Sequence, residues 1–129
     1  MQDKSKMYME YYRILEVWMC NVENGKKIEN YFHYNHYNQI ALYGMGKMAN
    51  HVIKELENSD IKIAYAIDRN PHGNTKFPII SSNEKEFPIV DAIIVTPTYD
   101  FINIERELSR RMDIPVIPLN EVIRCTAAL

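Results

Sequence analysis

The chain has 129 residues, enough for one hydrophobic core and too few for two, because a core of half that size is marginal on its own. Its composition, 47% hydrophobic and 25% charged, is that of an ordinary globular protein, and a formal net charge of -2 with scattered basic residues lacks the electrostatic footprint of a nucleic-acid binder. No apolar run approaches the ~20 residues of a membrane helix and the start lacks the apolar core of a secretory signal, so the expected setting is the cytoplasm, with neither nucleic acid nor membrane as a partner.

In chain order, residues 6–22 hold no Gly or Pro, and Tyr8, Tyr11, Tyr12, Leu15, Trp18, Met19 and Val22 recur at spacings of three and four. That periodicity predicts an amphipathic helix, with Ile14 and Val17 widening its apolar face so that one flank is left for a second surface. Asn24-Gly25 is the expected stop, since Gly readily takes the left-handed conformation that closes helices. A second helix is expected from Lys26 to about Tyr34, burying Ile28, Tyr31 and Phe32, and the FHYNHYN stretch to Asn38 reads as a connection. Residues 1–38 thus form a helical arm, and 39–129 the main domain. The free-standing apolar surface of Trp18 and the tyrosines leads us to expect a homodimer contacted through the first helix.

From Gln39 the pattern changes. Ile40 to Tyr43 is a short apolar run ending in glycines, as a buried parallel strand should be, and Met48, Val52, Ile53 and Leu56 follow at helical spacing. Ile61 to Ile67 predicts a second strand, Pro78 to Ile80 a short third, and Ala92 to Val95 a fourth. Phe101, Ile104, Leu108 and Met112 share a helix face, with Asp100 or Thr98 as its cap. Val116 and Ile117 make a last strand, and Asn120 caps a terminal turn through Val122 and Ile123. Strands alternating with helices predict a Rossmann-like α/β fold, a doubly wound parallel sheet of about five strands in order 3-2-1-4-5.

The chemistry centres on Gly44-Met45-Gly46-Lys47-Met48-Ala49, a strand running through G-x-G-x-x-A into a helix. The first Gly permits a tight turn, the second lets a pyrophosphate approach the backbone, and Ala49 lets helix and strand pack closely. Phosphates would sit on the free amides at the start of the helix. Asp68, 22 residues beyond Gly46 and just after the second strand, stands where an acid takes the hydroxyls of an adenine ribose. The competing reading is that both glycines serve only the turn and Asp68 only starts a loop. Arg69 beside it suits a 2′-phosphate that Asp68 repels, so NAD is the expected cofactor and NADP the alternative. Open α/β sheets bind ligands outside the carboxyl ends of their strands, which brings Thr96, Thr98 and Tyr99 into the same crevice, although Pro97 shaping a turn and Tyr99 packing account for that segment equally.

Other constellations carry less. His33 and His36 can share a helix face, but no Asp, Glu or Cys stands near them in sequence at a ligand spacing, so no metal is expected. Cys20 and Cys125 lack the C-x-x-C spacing of a zinc site and do not form a disulfide framework. Tyr43 and Lys47 match the Y-x-x-x-K of short-chain dehydrogenases, but in the phosphate turn rather than on a catalytic helix. Tyrosines crowd the first 43 residues, yet without a basic groove they read as core and interface rather than as base-stacking platforms.

QIALYGMGKMANHVIKEL, AYAIDRNP, VDAIIVTPTYDF and PVIPLNEVI together resemble the short Rossmann-like domains found with bacterial surface-polysaccharide genes and described as nucleoside-diphosphate-sugar epimerase-like or NAD(P)-binding. The resemblance covers Gln39 to Ile123 and implies a nucleotide or nucleotide-sugar ligand at Gly44, Gly46 and Asp68, and a link to glycan assembly. The amino-terminal domain of sugar acyltransferases is also similar, but this chain has no hexapeptide repeats and no His in the glycine turn. The leading expectation is a binding module for NAD(P) or a nucleotide sugar. Its rivals are an epimerase or dehydrogenase working as an oligomer, and a structural protein that holds no ligand. Hydride transfer or epimerisation needs a lobe to hold the sugar and a paired acid and base, and the exposed candidates Tyr99, Lys47, Arg69 and His72 show no such pairing in sequence, so no turnover is expected of the chain alone.

Overall fold

A computed structural model describes residues 4–73 and 75–129. Five strands, β1 (Gln39–Tyr43), β2 (Lys62–Asp68), β3 (Ile79–Ser81), β4 (Ala92–Val95) and β5 (Val116–Pro118), form one sheet in the order β3-β2-β1-β4-β5. Every pairing is parallel, as expected of the short, near-continuous apolar runs that build it. The helices are α1 (Ser5–Glu23), α2 (Glu29–Tyr34), α3 (Lys47–Leu56), α4 (Phe101–Ser109) and α5 (Leu119–Ala127), with a 3₁₀ turn at Thr98–Asp100.

Strand side chains alternate between two cores, because successive Cβ atoms point to opposite faces. Ile40, Leu42, Ala66 and Ile94 pack with α1, α2, α3 and α5 on one face. Ala41, Tyr65, Ile67 and Ile93 pack with α4 on the other. The two faces are covered unequally. No helix bridges β3 and β4; Phe87 and Val90 of that irregular segment fill the α4 face instead. Tyr65 pins the segment by stacking on Phe87 and donating its hydroxyl to the Pro88 carbonyl at 2.6 Å.

The arm belongs to this core. Ile14 and Trp18 of α1, and Tyr31 and Phe32 of α2, are buried in the same cluster as β1 and α3. Asn21, itself buried, donates its amide to the Ile123 carbonyl of α5 at 3.0 Å. Carboxylates join the arm to the main domain, and Glu55 of α3 does so twice: it accepts Trp18 Nε1–H at 2.7 Å and the Ile28 N–H at 2.6 Å.

Several expectations are corrected. The buried edge of α1 runs through Ile14, Trp18 and Asn21, while Tyr8, Tyr12, Leu15, Met19 and Val22 lie exposed. Apolar side chains nearly all round α1 left its inner face undetermined by periodicity. The second helix starts at Glu29 rather than Lys26. Asp100 does not cap α4 through its side chain; it accepts the Asn103 side-chain amide at 2.8 Å. Asn120 lies inside α5, a nine-residue helix rather than a terminal turn. Gly25, at φ +70°, closes α1 with paired bonds from Gly25 N–H to Val22 O and from Lys26 N–H to Asn21 O.

Candidate functional site

β1 is the middle strand of the sheet, and the chain leaves it through Gly44-Met45-Gly46 at the carboxyl end, where ligands of open α/β sheets bind. Gly44 has φ +93°, and a Cβ there would lie 2.7 Å from Thr96 Oγ1 and 2.8 Å from Pro97 Cδ. Only Gly meets both demands. Its N–H donates to the Ile67 carbonyl at 2.8 Å, locking the turn against the end of β2.

Gly46 is different. Its backbone is extended (φ -89°, ψ -161°), which any residue adopts, and a Cβ there would meet nothing within 4 Å. Nothing in the described fold requires Gly at this position. Gly46 precedes the first turn of α3, whose leading amides have no partner within the helix, and no side chain caps them. Lys47 is exposed beside these amides, whereas Met48 and Ala49 are buried, so Met48 has only its backbone to offer a ligand. Ala49 fills the small-residue position at which α3 packs onto the sheet core.

Asp68 ends β2 beside the turn. Its Oδ2 accepts the Met45 N–H and its Oδ1 the Asn70 N–H, both at 2.9 Å. The carboxylate is thereby oriented at the mouth of the crevice, with lone pairs left on each oxygen. Arg69 reaches Asp100 at 3.7 Å. Because β1 lies between β2 and β4, this ion pair crosses above the end of β1. Thr96 is buried and donates its hydroxyl to the Tyr43 carbonyl at 2.9 Å, so it braces the turn from behind. Thr98 is also buried, and its Oγ1 is the one buried side-chain oxygen or nitrogen among the described residues with no hydrogen-bond partner. Tyr99 is half exposed and packs edge-on against Tyr11 of α1, ring centroids 6.1 Å apart.

The predicted residues therefore gather at one place but in two roles. Gly44, Thr96 and one oxygen of Asp68 build the turn; Gly46, Lys47, Arg69 and Tyr99 present surfaces to its mouth. The hollows of the surface include one of about 730 Å³ between α1 and α5 and one of about 280 Å³ lined by residues between Pro71 and Ile79, where exposed His72 is found. No family model matches the chain, and no curated protein or solved structure matches it.

The fold also brings a third residue, Asp60, to the i, i+4 pair Glu29 and His33. Glu29, His33 and Asp60 bring their ligand-capable atoms within 4.8 Å of one another, correcting the expectation that no acidic residue stands at a ligand spacing from His33, since Glu29 lies four residues before it on α2. His33 Nε2 meets Asp60 Oδ1 at 2.6 Å, and this hydrogen bond holds the Asp60 carboxyl below its ordinary pKa. Asp60 lies 27 residues from His33, too far in sequence for a spacing rule to pair them. His36 takes no part; at φ 60° it closes α2 in the left-handed position usually held by Gly.

Proposed function

We propose that this domain is a nucleotide-binding module of the cytoplasm. It holds NAD, with NADP as the alternative, or the nucleotide part of a nucleotide sugar. The pyrophosphate lies on the amides from Gly46 to Met48, the ribose hydroxyls reach Asp68, and Tyr99 and Thr98 border the crevice. The observation that carries this reading is Gly46: a glycine that the backbone conformation and packing of the chain do not require, beside unpaired helix amides. Close approach of a ligand gives that glycine a reason. Resemblance to the polysaccharide-associated domains extends the reading to sugar-nucleotide metabolism.

A second reading, a turn that serves only the fold, draws support from the two amides already bound to Asp68. Calorimetry with NAD, NADP and a nucleoside-diphosphate sugar separates the two. Binding should weaken at least tenfold in Gly46→Val while the melting temperature of the free protein stays close to that of the parent. Equal affinity in parent and variant removes the glycine turn as the site, and the absence of any heat with all three ligands leaves the structural reading.

A further inference from the structure

Glu29 adds a carboxylate oxygen to the His33–Asp60 pair, and the three donor atoms lie within 4.8 Å of one another. The backbone on both sides of the cluster is anchored in the core. Glu29 and His33 stand one turn apart on one face of α2, whose rotation is fixed by buried Tyr31 and Phe32. Glu55 accepts the Ile28 N–H at 2.6 Å and so ties the start of α2 to the last turn of α3. Asp60 stands in the turn from α3 to β2, between buried Leu56 and Ile61, where Ser59 donates to the Leu56 carbonyl through its N–H at 3.1 Å and its hydroxyl at 2.8 Å.

We propose that Glu29, His33 and Asp60 bind a divalent transition-metal ion of the zinc class, which clips α2 of the arm to the turn between α3 and β2. Charge and donor type both point there. Two carboxylates and a neutral imidazole balance the charge of one divalent ion, whereas a protonated His33 balances a single carboxylate. Lys27 reaches Glu29 only at 4.0 Å, the outer limit of an ion pair, and its largely exposed side chain is free to leave. An imidazole nitrogen beside carboxylate oxygens suits zinc; magnesium and calcium take oxygen shells. Ligand atoms about 2.1 Å from a tetrahedral ion stand about 3.4 Å apart. His33 Nε2 and Asp60 Oδ1 therefore open from 2.6 Å while the Glu29 oxygen closes in, movements that rotation of exposed side chains supplies. The ion takes the place of the proton between Nε2 and Oδ1, and the remaining ring proton stands on Nδ1. Water completes the shell on the exposed side.

Calorimetry with zinc chloride on the chelator-treated full chain should show one ion bound per chain. Affinity should fall at least tenfold in each of His33→Ala, Asp60→Asn and Glu29→Gln. Cys20→Ser and His36→Ala should bind within about twofold of the parent, because the exposed thiol and the neighbouring imidazole lie outside the cluster. Magnesium chloride at the same concentration should give no saturable heat. Zinc should also raise the melting temperature of the parent and leave that of His33→Ala unchanged, since an ion that joins arm to domain prefers the folded chain. A parent that shows no saturable zinc binding overturns the proposal. So does a loss of less than tenfold in any of the three ligand variants, or a tenfold loss in Cys20→Ser, which gives the ion to the thiol instead. Magnesium binding as tight as that of zinc overturns it too, because two carboxylates alone would then account for the site.

Discussion

Two glycines two residues apart have opposite physical standing. Gly44 is required by its positive φ and by the approach of Thr96 and Pro97, so Gly44→Ala should destabilise the protein by about 2 to 4 kcal/mol through strain and steric overlap. Gly46→Ala should stay within about 1 kcal/mol of the parent, since the position has room for a Cβ and an ordinary backbone. Denaturant melts of the two variants check the contrast; equal losses would contradict it. A third residue offers a gain instead of a loss. His36 sits at φ 60° with its N–H bonded to His33 O, and Tyr37 N–H bonded to Phe32 O. Replacing it by Gly removes the Cβ penalty of the left-handed region, so His36→Gly should raise stability by about 0.5 to 1 kcal/mol in the same melts.

Among the elements, α3 holds more of the molecule together than its length suggests. Its amino end faces the crevice, and Glu55 in its last turn accepts donors from α1 and from Ile28, the residue that leads into α2. Glu55→Ala leaves the indole N–H of Trp18 and the backbone N–H of Ile28 without their partner, in residues that are nearly fully buried. A loss of about 2 to 4 kcal/mol is expected, on the order of 10 °C in melting temperature, because unpaired buried donors carry their full desolvation cost. A shift under a degree would show that water replaces the carboxylate there.

The elements also show what was legible in the sequence. β1, α3, β2 and β4 were readable because one physical demand, burial on both faces of a central strand or on one face of a helix, dominates their residue choice. The sheet order followed from these and the alternation of elements. The apolar pattern of α5 stops short of its end because its buried face closes with Thr126, whose hydroxyl returns to the Val122 carbonyl at 2.8 Å and so hides a polar residue in an apolar stripe. The inner edge of α1 was not legible, since a second apolar edge lies next to it. Of the site, the glycines and Asp68 were readable from local spacing. The pairing of Arg69 with Asp100 and of Glu55 with the arm was not, because only the folded sheet brings those segments together.

For the molecule as a whole, alkaline pH is the expected weakness. Burial pushes the phenols of Tyr11 and Tyr65 up to about 12 and raises those of Tyr31 and Tyr37 as well. A phenol that ionises less readily when folded favours the native state fully below its unfolded pKa of about 10, and that contribution disappears as pH climbs through the folded value. Stability should therefore hold up to about pH 10 and fall between about 10 and 12, measured by urea melts across that range. Melts that give one stability from pH 9 to 12 would contradict the assignment.

Trp18 is the only tryptophan, and it is 5% exposed at the junction of α1 with α3, edge-on to His51 and bonded to Glu55. Its fluorescence is consequently a private signal of one seam. Emission reports whether the arm is seated, while far-ultraviolet circular dichroism reports the whole fold, so the two optical channels can be read in one titration. If the arm lifts before the sheet melts, the emission will redden at lower denaturant than the dichroism falls. If arm and sheet unfold as a single cooperative unit, the two curves will superimpose.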